Sequence, residues 1–217
     1  MPNDCLPKTL KQTHNSTVNF SANLFSLQMG NHKLIIMTAP SGAGKTSITR
    51  YLLDKYPALS FSISAATRQP RTGEQNSVDY YFISAAEFQR HIEDNDFVEW
   101  EMVYEGKYYG TLKSELDRIW AAGRVPILDI DVKGALRVKK DYQGTTLCIF
   151  IDPPSIDELK IRLERRNTES LESLQTRLSK AEYELSFKQQ FDKIIVNDNL
   201  EKACHDTEAI IKEFLGW

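Results

Sequence analysis

The sequence predicts a doubly wound α/β fold built on a parallel sheet, and three observations predict it. From Lys33 onward, short apolar runs alternate with helical patterns. The first run ends at a glycine-rich turn that opens directly into an amphipathic helix. A chain of 217 residues with 41% hydrophobic and 26% charged side chains suits one substantial domain with a small insert.

"KLIIMT" (33–38) is continuously apolar, as a strand covered on both faces must be. "KTSITRYLLDKY" follows with Ile48, Tyr51 and Leu52 on one helical face, and Pro57 closes it. The stretch 62–111 breaks the alternation and reads as an insert. It holds "DYYFIS" and "FVEWEMVYEGKYYG" as antiparallel strands with a helix near 85–95 between them. Inserts at strand ends are where α/β folds usually build specificity. Further buried strands are predicted at "VPILDID" (125–131), "LCIFID" (147–152) and "KIIVND" (193–198). In "PPSIDELKIRLERR", Ser155 and Glu158 form a capping box that starts a helix. The last helices are predicted over 170–190 and 200–214. Residues 1–31 differ: Asp4, Lys8 and Lys11 are their only charges among many Asn, Gln, Ser and Thr. They read as a mostly disordered extension to a domain over 32–217, with Met29 as an alternative start.

A net charge of −3 gives no global case for nucleic-acid or membrane binding, so any anion site must be local. Cys5, Cys148 and Cys204 have neither a disulfide framework nor zinc spacing, which suits a reducing, cytoplasmic setting. His14, His32, His91 and His205 are scattered, and no apolar run approaches the ~20 residues of a membrane span.

"TAPSGAGKTS" (38–47) departs from the phosphate-loop pattern G-x-x-x-x-G-K-[ST] only at its first glycine, which is Ala39. Between a strand and a helix, the backbone N–H groups of Ala39, Pro40, Ser41, Gly42, Ala43 and Gly44 (proline excepted) would surround phosphate oxygens. Lys45 would neutralise β and γ oxygens, and the hydroxyl of Thr46, followed by Ser47, would ligate Mg²⁺. Ala39 is costly, ~1–2 kcal/mol, only if that position needs positive φ.

"SISAATRQPRTGE" sets Arg68 and Arg71 on a proline-stiffened loop, suited to bidentate capture of a phosphate, with Tyr80 and Tyr109 as hydroxyl donors. Two solvated surface arginines are the plain alternative. In "FVEW", Glu99 is an acceptor-only group that matches the adjacent N1–H and N2 amino group of guanine and would repel adenine at N1. Asp129 and Asp131 share one side of a strand end, where an acid faces Mg²⁺ or its waters; a helix cap fits Asp131 almost as well. Arg162, Arg165 and Arg166 crowd one turn, with Arg177 on the next helix, so a multiply charged anion and a solvated basic face both remain open.

The strings "SISAATRQPRTGE", "DYYF", "FVEW", "YYGT", "ILDIDVKGA", "PPS", "RLERRNTES" and "IVND", in this order from Lys33 to the C-terminus, resemble guanylate kinases. The resemblance implies a P-loop three-layer core with a parallel sheet (32–61, 112–152 and 191–217), a small α+β GMP-binding insert (62–111) and a helical lid (about 153–190). It implies transfer of the γ-phosphoryl of ATP to GMP, and by the same contacts dGMP, with Mg²⁺. ATP and GMP would be the partners, with no nucleic acid or membrane, in a monomer or simple homo-oligomer. Carried over by position, Ser64, Glu99, Thr111 and Asp131 surround the guanine, while Arg68, Arg71, Tyr80 and Tyr109 hold its phosphate. Lys45, Arg162 and Arg177 surround the transferred group and, with Asp131, form the catalytic set. Arg166 is a lid arginine, and Asn197 lies in the segment near the ATP base. Ala39, Ser77 and Asn167 stand where the family commonly has glycine, and Thr111 where serine is common. The alternative is a kinase-like binding module without catalysis, although the retained Lys45 and Thr46 argue against it.

Overall fold

The computed structural model describes residues 32–165 and 171–217. The readings of 1–31, including Met29, and those of Arg166 and Asn167 lie outside the described residues.

Strand β1 (Leu34–Thr38) is buried at every position and lies at the middle of a parallel sheet. The order is β2 (Leu59–Phe61), β7 (Val125–Asp129), β1, β8 (Thr146–Asp152) and β9 (Lys193–Val196). Alternation along β1 divides its side chains between two cores. Ile35 and Met37 pack with Ile48 and Leu52 of α1 (Lys45–Lys55) and with Ala203 and Ile211 of the C-terminal helix (Leu200–Leu215). Leu34 and Ile36 pack on the other face with Leu116 of α3 (Lys113–Ala121) and with Ala135 and Val138 of α4 (Val132–Asp141). The helices thus form layers on both sides of the sheet. The predicted strand over 125–131 ends at Asp129, because Asp131 is already the cap of α4.

A second sheet has the order β4 (Tyr81–Phe82), β3 (Ala65–Ala66), β6 (Lys107–Leu112), β5 (Phe97–Tyr104). β5 and β6 form the expected antiparallel hairpin, turning at Gly106 with φ 70°. The "DYYFIS" strand differs from expectation: β4 pairs with β3 in parallel. Loop 67–80 returns the chain to the start of β3 before β4 begins, so both run the same way. Tyr81 N donates to Ser64 O (2.9 Å) and Ile83 N to Ala66 O (3.1 Å). Helix α2 (Ala85–Glu93) starts where the Ser84 hydroxyl accepts from Glu87 N, and it presses Phe88 against Phe97 with ring centroids 4.3 Å apart.

Helix α5 (Ile156–Glu164) begins at the predicted cap, with the Ser155 hydroxyl accepting from Glu158 N at 3.0 Å. The box is half formed: the Glu158 carboxylate reaches forward to Arg162 Nε (3.0 Å). Helix α6 (Leu171–Leu185) is shorter than the predicted 170–190, and a 3-10 turn (Lys188–Gln190) follows before β9. Leu159 and Leu163 of α5 meet Leu174 and Ala181 of α6 in an apolar cluster of their own. The C-terminal helix becomes α7 in this numbering, and it ends at Gly216 in the left-handed region.

Candidate active site

In open parallel sheets, ligands bind where loops leave the carboxyl ends of the strands. Here Met37 of β1 is in register with Asp129 of β7, so the loops after both strands emerge together. A cavity of about 490 Å³ opens there. Its walls come from the loop after β1 (Ala39, Pro40, Ser41, Gly42, Gly44) and the start of α1 (Lys45, Thr46, Ser47). Asp129 and Asp131, β5 and β6 of the second sheet, and α6 complete it.

The loop answers the question posed by Ala39. Among the described residues, the non-glycine positions with positive φ are Ser77 and Asn95, so Ala39 adds no backbone strain. The left-handed positions are Gly42 (φ 93°) and Gly44 (φ 98°), which kept their glycines. A Cβ on Gly44 would lie 2.1 Å from Asn197 Nδ2. That amide donates to Ala43 O at 2.7 Å, and Asn197 is only 4% exposed. Asn197, expected in the segment near the ATP base, braces the loop from behind and does not line the cavity. Lys45 Nζ is ion-paired with Asp129 Oδ1.

Along β5, Glu99, Glu101 and Val103 alternate onto the cavity face. Glu99 is 6% exposed, and its Oε1 accepts from Thr111 N (3.0 Å) and Thr111 Oγ1 (2.8 Å) across the hairpin. Its Oε2 approaches α4 at Gly134, where any Cβ would come within 2.9 Å of it. Burial pushes the Glu99 carboxyl up to about 7, with the Asp131 charge adding to the rise and the Thr111 bonds opposing it. Asp131 is the helix cap, its Oδ1 accepting from Gly134 N (2.7 Å), and the residue also lines the cavity.

The two loop arginines separate. Arg68 lies with its guanidinium 4.9 Å from the Tyr80 ring centroid, and its Nε donates to Tyr109 Oη at 3.0 Å. Tyr80, Tyr109 and Ser64 line the cavity; Arg68 stands behind the two tyrosines and Arg71 is exposed, and neither arginine is part of the lining. Arg162 is likewise behind the wall, donating to Glu158 and to Asn197 O (3.0 Å). Arg177 does face the cavity, and its Nη1 donates to Ser41 Oγ at 3.1 Å, linking α6 to the loop. Thr111 is buried behind Glu99 and acts on it directly.

Residues 31–214 match the family model described as guanylate kinase. The chain belongs to the guanylate kinase family. A guanylate kinase of Bacteroides thetaiotaomicron is 46% identical over 201 residues, covering 93% of this chain and 97% of the relative. One from Porphyromonas gingivalis is 50% identical over 185 residues, covering 85% of this chain and 98% of that one. The crystal structure of guanylate kinase from Anaplasma phagocytophilum superposes with a TM-score of 0.67 at 28% identity, over 83% of this chain and 85% of the other.

Several cavity residues of this guanylate kinase family member escaped the sequence reading. Asp79, Glu101, Lys180 and Glu184 all line the wall. Arg177, Lys180 and Glu184 recur at helical spacing on one face of α6, which was a readable signal. Glu184 is 7% exposed, and burial pushes its carboxyl up, against the opposing charges of Lys180 and Lys45. Glu101 Oε2 is buried without a hydrogen-bond partner among the described residues, which only a three-dimensional account reveals.

Proposed function

We infer that this chain is a phosphotransferase that moves the γ-phosphoryl group of ATP to GMP, releasing ADP and GDP. The observation that supports it best is the meeting, in one cavity, of a phosphate loop with the Glu99 carboxylate that Thr111 holds from behind. An ionised Glu99 Oε2 accepts the N1–H and N2–H donors of guanine, while Thr111 fixes the other oxygen and so the plane of the carboxylate. Adenine, with a lone pair at N1, is rejected at the same point. Arg68, Tyr80 and Tyr109 hold the acceptor phosphate, with Ser64 and Asp131 beside the base. These contacts do not involve the 2′-hydroxyl, so dGMP is a second acceptor.

At the other end, the loop from Ala39 to Gly44 and the first turn of α1 surround the donor phosphates, with positive partial charge from the helix N-terminus. Lys45 and Arg177 neutralise charge on the equatorial oxygens of the transferred group, which is the main demand of phosphoryl transfer. Arg162 reaches the same region once α5 shifts toward the loop, and Arg71 and Arg166 add to the two phosphate grips. No strong general base is required. Among the described residues, no cluster of three His, Cys, Asp or Glu side chains could hold a metal unaided. The Thr46 hydroxyl, Asp129 and Asp131 line the same cavity, and their hard oxygens suit Mg²⁺ shared with nucleotide phosphates and water. Held there, Mg²⁺ would supply neutralisation of charge on the nucleotide phosphates.

The chain divides on this reading into a core (32–61, 112–152, 191–217), a GMP-binding insert (62–111) and a lid (153–190). Among the described residues no helix is long and apolar enough to cross a membrane, and a cytoplasmic monomer or simple homo-oligomer fits the reading. The test is ADP formation from Mg-ATP with GMP, dGMP, AMP, UMP and TMP offered singly. Turnover with GMP, or with GMP and dGMP, is expected. Folded protein that binds GMP without turnover would instead identify a binding module.

A further inference from the structure

Arg68 has five N–H donors, and their partners define which way it faces. Nη1 donates to Glu74 Oε2 (2.5 Å) and to Gln69 O (3.1 Å), and Nη2 donates to Glu74 Oε1 (2.7 Å). Nε donates to Tyr109 Oη (3.0 Å), and the guanidinium plane lies against Tyr80 and Phe82, 4.9 and 5.4 Å from their centroids. Glu74 therefore takes the outer edge of the fork, formed by Nη1 and Nη2. The remaining N–H, on Nη2, lies on the same edge as Nε, beside the cavity-lining Tyr109. Side chains of Arg68 and Glu74 are only 10% and 19% exposed.

We propose that Glu74 is a positioning residue for the acceptor nucleotide: it clamps the outer edge of Arg68 so that the Nε–Nη2 edge is presented to the phosphate. The proposal rests on the reading that Arg68 holds that phosphate. A phosphate arriving at this edge meets the second Nη2 N–H at once and gains the parallel Nε donor when Tyr109 yields it, without displacing Glu74. Tyr109, which accepts from Nε in the free protein, turns its own hydroxyl proton toward the anion. Glu74 also fixes the loop itself, because Oε2 accepts from Arg71 N (2.7 Å) and Glu74 N donates to Arg71 O (3.0 Å). The guanidinium holds the Glu74 carboxyl down at about 2, so the clamp stays ionised wherever the enzyme works.

Phosphate-specific binding is the readout that separates positioning from a general loosening of the loop. Dissociation constants for GMP and for guanosine would be measured by calorimetry on the full chain and on Glu74→Gln, Glu74→Asp and Arg68→Gln. In Glu74→Gln, GMP is expected to weaken about tenfold or more, with guanosine within about twofold. KM for GMP should rise in parallel while kcat and KM for ATP stay within about twofold, and Glu74→Asp should recover part of the loss. Equal weakening of GMP and guanosine would overturn the proposal, as would tighter GMP binding, which would make Glu74 a competitor of the phosphate. If Arg68→Gln loses GMP selectively while Glu74→Gln does not, only the clamp is wrong. If Arg68→Gln leaves the GMP-to-guanosine ratio unchanged, Arg68 is not the phosphate ligand and both readings fall.

Discussion

Replacing Glu99 with Gln removes one charge, alters little volume, and leaves a carbonyl able to accept both Thr111 bonds. The Glu99 carboxyl is pushed from 4.5 up to about 7, chiefly by burial. Between these values the folded protein retains a proton that the unfolded chain has released, so stability falls as pH rises. The penalty for Glu99 is about 1 kcal/mol at pH 5 and levels at about 3 kcal/mol above pH 8, at 1.36 kcal/mol per pH unit. Glu99→Gln escapes it. For a domain of this size each kcal/mol is worth about 2–4 °C, so the variant should melt about 6–12 °C above the parent at pH 8 and only about 2–4 °C above it at pH 5. The same change should cost ~100-fold or more in kcat/KM for GMP and erode the preference over AMP. The assays are nucleotide-free thermal melts from pH 5 to 8.5 and initial rates with each acceptor. A melting difference that stays flat across pH would refute the account of Glu99 as a buried, reluctantly ionised acceptor, as would unchanged GMP/AMP discrimination.

Ala39→Gly restores the family's glycine at a position without positive φ. It should leave kcat/KM for ATP within about twofold and lower stability by ~0.5–1 kcal/mol, since glycine loses more chain entropy on folding; a clear gain in activity would show that Ala39 strains the loop. Ser77 stands at φ 64°, exposed, and its backbone N donates to Tyr80 O at 2.8 Å. Ser77→Gly keeps that bond and removes a left-handed penalty of ~1–2 kcal/mol, partly offset by glycine's entropy. A chemical denaturation midpoint that moves up supports this, and one that moves down contradicts it.

What the sequence made legible is what depends on local pattern. The buried runs became strands of one parallel sheet, and Ser155 capped its helix, because burial on both faces and capping are decided within a few residues. What the sequence did not announce depends on partners that are distant in sequence or nonperiodic. Arg68 and Arg71 look equivalent as text, but Glu74 and Tyr109 select Arg68 and leave the other side chain exposed. Asn197 meets Ala43 across 154 positions, a contact that no local pattern announces. The alternatives for Asp131 were drawn too sharply, since one carboxylate caps α4 and faces the cavity together. The parallel pairing of β4 with β3 was missed because two-residue strands have no periodicity to read.

The charges of the site are arranged before any substrate arrives. Lys45 is held by Asp129, Arg68 by Glu74 and Tyr109, and Arg177 donates to Ser41, whereas Arg162 is held behind the wall by Glu158 and the Asn197 carbonyl. Long cationic side chains left to solvent would lose rotamer freedom on meeting a phosphate. Here that ordering belongs to the folding of the chain, and binding adds an anion to cations already placed. Preorganised charge of this kind is what stabilises a transition state without reorganisation during the reaction. The neighbouring acids also keep the empty cavity from presenting unbalanced positive charge to stray phosphate. A phosphate dianion must then gain enough from direct donors to outweigh the adjacent carboxylates. On the proposed reading, that condition favours a ligand which also reaches Glu99, and would couple recognition of the base and of the phosphate through the electrostatics of a single cavity.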